Sequence, residues 1–281
     1  MNSFNKKRLS VQLLIHEASI TSMQAFMMQG MSLQPFSSDS AGSFRRRLGH
    51  MRYNNVVTGT FVSRPNRFIA YCDIDGVRTK VHVKNTGRCK EILVPGVKAV
   101  LEASDNPDRK TPYDLIAAYK GDLLVNIDSQ APNKAFHEYI LGSGVFGLSP
   151  QVYPEHTHGD SRFDFYVESG DRRIYAEVKG VTLENDGVCM FPDAPTERGL
   201  KHVRGLMRCV EEGFEAYIVL IVQMKGMKEF LPNYGTHEEF GREMERAEKS
   251  GVKVFVLECD VTEDSMVVDG RTIPHRYISE R

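Results

Sequence analysis

Hydrophobic and polar positions alternate along residues 56–83 with the period of two expected of strands. VVTGTFV is followed by RFIAYCDI and VRTKVHV, with Asp75-Gly76 between the last two runs. Asp-Gly between alternating runs is a strong hairpin signal, because the tight turn that matches strand twist needs positive φ at both central residues. In the second arm Val77, Thr79, Val81 and Val83 point one way and Arg78, Lys80, His82 and Lys84 the other, giving one apolar and one basic face. Asn85-Thr86-Gly87-Arg88 reads as a turn, and ILVPGVKAVLEAS as two short strand pieces about Pro95-Gly96. Several short strands in so little chain predict a small closed barrel of the oligonucleotide/oligosaccharide-binding (OB) kind. The basic stripe fits a polyanion-binding surface or a solvated outer face equally well.

After the polar loop SDNPDRKTP the pattern changes. LIAAY and LLVNID predict a hairpin, 133–141 a short helix, and SRFDFYV and RRIYAEV two strands. Then come a short GVCMF piece, a helix over 196–212, the strand EAYIVLIVQ, a helix over about 236–250 and the strand VKVFVLEC. Strands alternating with helices predict an α/β domain with a mixed sheet. The expected division is an extension over 1–50, an OB barrel over 51–112 and the α/β domain over 113–281. Glu155, His156, His158 and Asp160 read as a polar loop before a strand rather than a metal site, and CDVTEDSMVVDG as an edge strand and turn. Residues 142–147 match GxGxxG, but a helical pattern precedes them and Pro150 follows. The dinucleotide fingerprint needs a strand before and a helix after, so no nucleotide cofactor is expected.

A chain of 281 residues with 41% hydrophobic and 26% charged residues is long enough for two cores and too apolar for wholesale disorder. Its five cysteines form no CxxC pair, which argues against a disulfide scaffold or structural zinc and for reduced thiols in the cytoplasm. No run of eighteen apolar residues exists, so no membrane partner is expected. Residues 1–50 hold six basic and two acidic residues with many Ser and Met. They read either as a disordered extension with a weak likeness to a targeting segment, or as sequence upstream of a true start at Met51. From 51 to 130 there are twelve Lys/Arg against nine Asp/Glu, and from 131 on eighteen against twenty-six. A basic module joined to an acidic one suits a polyanion-binding part beside a metal-binding part.

The chemistry concentrates in SRFDFYVESGDRRIYAEVK. Phe163, Phe165 and Val167 are expected on one face with Asp164 on the other. Ile174, Ala176 and Val178 are likewise opposed to Glu177 and Lys179. A two-residue turn at Ser169-Gly170 sets Asp164 opposite Tyr175, and the register two residues on sets it opposite Glu177. Both bring Asp164, Glu177 and Lys179 onto one surface. Two carboxylates with water and phosphate oxygen suit Mg²⁺ or Mn²⁺, and a neighbouring lysine can orient or deprotonate water. The plain alternative is a salt bridge across a hairpin. Downstream, FPDAPTERGLKH carries a helix start, with Arg198, Lys201, His202 and Arg208 off the apolar stripe and Gly199 and Gly205 where neither helps a helix. Basic groups and glycines near a helix start suit a bound phosphate; an exposed basic face with packing glycines is the other reading.

NTGR at 85–88, SRFDF at 161–165, EVKGVTL at 177–183 and FPDAPTERGLKH at 191–202 resemble, in order and spacing, the sugar fermentation stimulation protein A family. The resemblance implies an OB barrel followed by a nuclease-like domain of the PD-(D/E)XK class, with DNA binding and nuclease activity on DNA or RNA. Carried onto this chain, it makes Asp164 the strand aspartate, Glu177 and Lys179 the E-x-K pair, and Glu138 an accessory acid from the first helix. Asp164 and Glu177, with the Val178 carbonyl, would hold Mg²⁺ or Mn²⁺, and Lys179 would position water. Arg198, Lys201 and His202 would steady phosphate, and Arg78, Lys80, Lys84 and Arg88 would track a nucleic-acid backbone. The alternatives are a non-catalytic DNA-binding regulator of sugar (maltose) utilisation genes and, behind it, a protein-interaction module. Nucleic acid is the expected partner, and a homodimer is left open.

Overall fold

The computed structural model describes residues 51–85 and 87–278, so the expectations for residues 1–50 and for Thr86 fall outside the described residues. The first sheet holds β1 (Val56–Ser63), β2 (Ile69–Ile74), β3 (Val77–Val83), β4 (Lys98–Ala103), β5 (Tyr113–Lys120) and β6 (Leu123–Asn126), in the order β3-β2-β1-β4-β5-β6. Parallel pairing of His82 with Asp114 and Val83 with Leu115 joins β3 to β5 and closes β1–β5 into a five-stranded OB barrel. Asp75 and Gly76 turn the β2–β3 hairpin at φ of 50° and 79°, the geometry this dipeptide supplies at low cost. Inward alternation then buries Ala70, Cys72, Ile74, Val81 and Val83.

Two expectations are corrected here. The sheet continues past residue 112: β5 pairs with β4 and β3, and β6 extends it, so the barrel's last strands lie in the segment assigned to the second domain. LIAAY and LLVN are buried at most positions, which also fits an α/β strand, so periodicity could not decide which sheet takes them. Residues 91–97 hold no strand. The bonds from Leu93 N to Cys89 O and from Val97 N to Val94 O close local turns, and Pro95 has no N–H to offer a ladder.

The second domain begins with α1 (Ala131–Ser143), whose C-terminus is closed by Gly144 at φ 71°. The GxGxxG stretch therefore ends a helix, and no strand leads into it. Then follow β7 (Gln151–His158), β8 (Ser161–Ser169), β9 (Arg172–Val181), β10 (Leu183–Asn185), β11 (Val188–Phe191), α2 (Glu197–Glu211), β12 (Glu215–Val222), β13 (Glu229–Pro232), α3 (Tyr234–Lys249), β14 (Lys253–Val261) and β15 (Met266–Thr272). The main sheet runs β15-β14-β12-β9-β8-β7. It is mixed: β12 is parallel to β9 and β14, while β7, β8 and β15 pair antiparallel. β12 is buried on both faces, as a central strand covered by helices must be. Ala216, Ile218, Leu220 and Val222 pack in the cluster of α2 and α3, and Tyr217, Val219 and Ile221 in that of α1. β10, β11 and β13 form a small separate sheet. The segment around His156 is strand β7 rather than a loop. His158 pairs with Glu212 and His156 with the Tyr175 hydroxyl.

Barrel and α/β domain meet beside β9. Asn126 N donates to Gln223 O (2.9 Å), and Gln223 Nε2 donates to Asn126 O (3.0 Å) and Asp128 O (3.2 Å). Gly180 lies under this seam. A Cβ there would stand 2.3 Å from Gln223 Oε1 and 2.8 Å from Pro132 Cγ, so only glycine fits without displacing them.

Candidate active site

β8 and β9 turn through Gly170 and Asp171, and their ladder runs from Ser169 opposite Arg172 to Phe165 opposite Ala176. Continued one step, this register faces Asp164 with Glu177, the second of the two arrangements the pattern allowed. The ladder stops there. The Asp164 carboxylate takes up the next donor, Oδ2 accepting from Val178 N (2.8 Å) while Oδ1 accepts from Asn133 Nδ2 of α1 (2.8 Å). The expected alternation breaks at this point: Phe163 packs in the α2 cluster and Phe165 in the α1 cluster. On β7, Pro154 pairs with Phe165 and His156 with Phe163, leaving Glu155 between them at φ 57°. The pairing keeps its one-to-one register through this left-handed residue, a backbone departure that a pattern of period two cannot anticipate.

Glu177 is 3% exposed and His202 5%. Lys179 Nζ donates to Glu177 Oε1 (2.5 Å), and His202 Nδ1 bonds the same oxygen. Glu177 Oε2 is buried with no hydrogen-bond partner. The two carboxyls are pushed apart electrostatically. Burial and the Glu177 charge raise Asp164 above the usual carboxylate range. Burial also pushes Glu177 up, but His202 and Lys179 together outweigh it and hold Glu177 below its usual range. One carboxyl biased to keep a proton beside one biased to lose it is a pairing suited to acid–base work. With Glu177 ionised, His202 must donate from Nδ1.

Asp164, Glu177 and Lys179 are thus brought together as expected, His202 joins them in a different role, and the remaining expected site residues lie elsewhere. His202 is a buried partner of Glu177, out of reach of a phosphate in solvent. Arg198 is exposed on the first turn of α2, and Lys201 lies 3.6 Å from Asp160. Gly199 and Gly205 serve packing: added Cβ atoms would stand 2.8 Å from Thr196 Cγ2 and 2.9 Å from Phe163 Cζ respectively. Glu138 accepts from Met51 N (2.7 Å), and it is Asn133 of the same helix that reaches Asp164. On the barrel, Arg78 pairs with Asp73 and Lys84 with Asp128 (3.0 Å), while Lys80 and Arg88 are exposed. Asn133 carries no signal in a single sequence, since nothing in the helical pattern ties it to a strand thirty residues on.

Among the described residues no group of three or more His, Cys, Asp and Glu is placed to hold a metal ion. A cation at this site would rest on Asp164, Glu177, a backbone carbonyl, and water or substrate oxygen. That donor set fits a hard divalent ion. The unpartnered Glu177 Oε2 fits as well, because leaving a buried polar atom unsatisfied costs about 1–3 kcal/mol and native folds keep such defects chiefly where a function uses them.

Residues 62–127 match the family described as SfsA N-terminal OB domain, and residues 130–265 the Sugar fermentation stimulation protein RE domain. A sugar fermentation stimulation protein homolog of Desulfitobacterium hafniense is 55% identical over 216 residues, covering 77% of this chain and 94% of its own. The Clostridium beijerinckii homolog is 50% identical over 216 residues, covering 77% and 96%. The structure of Pyrococcus furiosus SfsA in complex with Ca²⁺ superposes with a TM-score of 0.73 at 23% identity, covering 81% of this chain and 99% of that one. At that identity the likeness is one of fold. No helix among the described residues is long and apolar enough to cross a membrane.

Proposed function

This chain belongs to the sugar fermentation stimulation protein family, and from that premise we propose that it is a metal-dependent phosphodiesterase acting on nucleic acid. The observation that carries the reading is the buried Glu177, whose Oε1 takes Lys179 and His202 while Oε2 has no partner. Asp164 and Glu177, with the Val178 carbonyl, would hold Mg²⁺ or Mn²⁺; bound there, the ion would polarise a phosphate oxygen and lower the pKa of its water. Lys179 orients the attacking water and offsets phosphate charge. His202 fixes the rotamer of Glu177, and Asn133 with Val178 N fixes that of Asp164, so both carboxylates are set before substrate arrives. The Ca²⁺ in the Pyrococcus furiosus complex supports a hard divalent ion for this fold. Five buried free cysteines are consistent with a reducing cytoplasmic setting.

The family's name favours a second reading, a DNA-binding regulator of sugar-utilisation genes without turnover. Clustered buried carboxylates argue against it, since a surface that only holds DNA gains nothing from them. The deciding experiment incubates the full chain with labelled single- and double-stranded DNA and RNA in Mg²⁺, Mn²⁺ or EDTA, beside Glu177→Gln and Lys179→Ala. Metal-dependent products lost in both variants establish the phosphodiesterase. Retarded but uncut nucleic acid throughout establishes the regulator.

A further inference from the structure

We propose that the barrel grips an unpaired nucleic-acid strand in a groove walled by Arg64, Arg67, Arg88 and Lys90, and that this groove feeds the carboxylate site. The inference rests on the phosphodiesterase reading for the nature of the polymer and adds its strandedness and its path. The groove encloses about 800 Å³ and no carboxylate lines it. Its four cations form no ion pair among the described residues, whereas Arg78 and Lys84, on the stripe that the pattern singled out, are committed to Asp73 and Asp128.

Arg64 makes the groove a built site. Its Nη1 donates to Gly87 O (2.8 Å) and Arg88 O (3.0 Å), and its Nη2 to Arg67 O (2.8 Å) and Asn85 O (2.6 Å). The fifth guanidinium donor, at Nε, is buried without a partner. The guanidinium therefore ties the 64–67 turn to Asn85, Gly87 and Arg88 through neutral carbonyls, with the Cys89 thiol also beside it. Among the described residues no carboxylate pairs with its charge, and the backbones of Arg67 and Arg88 are held in place beside it. A site of this kind recognises an anion.

The remaining walls select the strandedness. Leu93, Pro95 and Val62 add apolar surface to the groove, and Phe68, next to Arg67 in sequence, is 55% exposed outside it, in an adjoining pocket with His82 and Lys84. A duplex offers phosphates outside and hides its base faces, so an apolar wall and a free ring gain nothing from it. An unpaired strand offers both backbone charge and base faces for stacking. Gly87 and Ala194 line this groove and also a second cavity of about 330 Å³ that reaches Gly180, the residue after Lys179. Asp193 also lines that second cavity, its carboxylate close against Gly87.

The test uses the full chain in EDTA, with fluorescein-labelled oligothymidylate and a duplex of matched length followed by anisotropy across a salt series. Single strand is expected to bind at least tenfold more tightly than duplex. Arg67→Ala/Arg88→Ala/Lys90→Ala, all at exposed positions, should raise the single-strand Kd at least tenfold. It should also flatten the log K against log salt slope by about 2, three phosphate contacts at roughly 0.7 each. Arg67→Gln and Lys90→Gln singly replace the triple variant if its circular dichroism departs from wild type. Unchanged affinity and slope in the variants, equal or tighter duplex binding, or no binding of single strand overturns the groove. Cleavage read in parallel separates the two claims. Metal-dependent products that survive the triple variant undiminished overturn the groove alone, and the expected binding pattern with no products in any metal supports the groove while overturning the phosphodiesterase.

Discussion

His202 Nδ1 and Glu177 Oε1 are hydrogen-bonded with both side chains buried, and Lys179 shares the same oxygen. Removing the imidazole leaves a buried carboxylate with one donor. His202→Ala should therefore lower metal affinity and cleavage by about 10–100-fold, the usual scale for a group that orients a metal ligand. Calorimetric titration with Mn²⁺ beside the cleavage assay checks this. His202→Gln, which keeps a donor, should recover part of the loss in both readouts.

Asn133 is the counterpart on the other carboxylate. Asn133→Ala frees Asp164 Oδ1 from its 2.8 Å bond, and Asn133→Asp adds a second negative charge beside a carboxyl that burial and Glu177 already raise. In the absence of metal the aspartate variant should be the less stable of the two in urea, and saturating Mn²⁺ should close part of that gap. Equal midpoints with and without metal for both variants would dissociate Asn133 from the site.

Gly199→Ala tests whether that glycine admits a ligand or a neighbour. The added Cβ meets the Thr196 cap at 2.8 Å and the Phe240 ring at 3.3 Å. The expectation is a loss of about 1–3 kcal/mol, typical of overpacking, in the urea-derived unfolding free energy, with oligonucleotide affinity unaltered. A variant of wild-type stability with weakened binding contradicts the packing assignment.

Glu215 gives a pH dependence away from the site. Arg172, helped by Lys253 and the Tyr217 hydroxyl, holds its carboxyl down to about 2 against the opposing effect of burial. A carboxyl depressed on folding stabilises the native state above its unfolded pKa, near 4.5, and loses that contribution as pH falls towards 2. After allowance for solvent screening of a partly exposed pair, Glu215→Gln should cost about 1–2 kcal/mol at pH 7. The difference from wild type should shrink steadily between about pH 4.5 and pH 2. Thermal melts across that range decide it.

Much of this was legible in the chain because period-two patterns and turn dipeptides act locally. Asp75-Gly76 set the hairpin, and Asp164, Glu177 and Lys179 reach one site because either register open to the β8–β9 hairpin brings them onto one surface. What stayed hidden depends on contacts distant in sequence. The β3–β5 pairing that closes the barrel beyond residue 112 joins His82 to Asp114. The fate of the basic stripe depended on Asp73, Asp114 and Asp128 occupying Arg78, His82 and Lys84. His202 looked like a phosphate ligand because its off-stripe position on α2 is compatible with solvent. Only the packing of α2 on β9 shows that it is buried against Glu177. Glu155 at φ 57° is a further case, since no composition rule places a left-handed glutamate inside a strand.

The seam at Gln223 has a mechanical meaning. Hydrogen bonds from Gln223 to Asn126 and Asp128 fasten the barrel to the strand ends at Gly180, where no side chain can be interposed. The separation between the barrel groove and Glu177 is then built into the fold as a fixed length. On the proposed reading such a chain would work as a gauge: a strand seated in the barrel would meet the carboxylates at a constant number of nucleotides from where it is held. Loosening the fastening with Gln223→Ala should blur the spacing of products on a sequencing gel before it slows their formation.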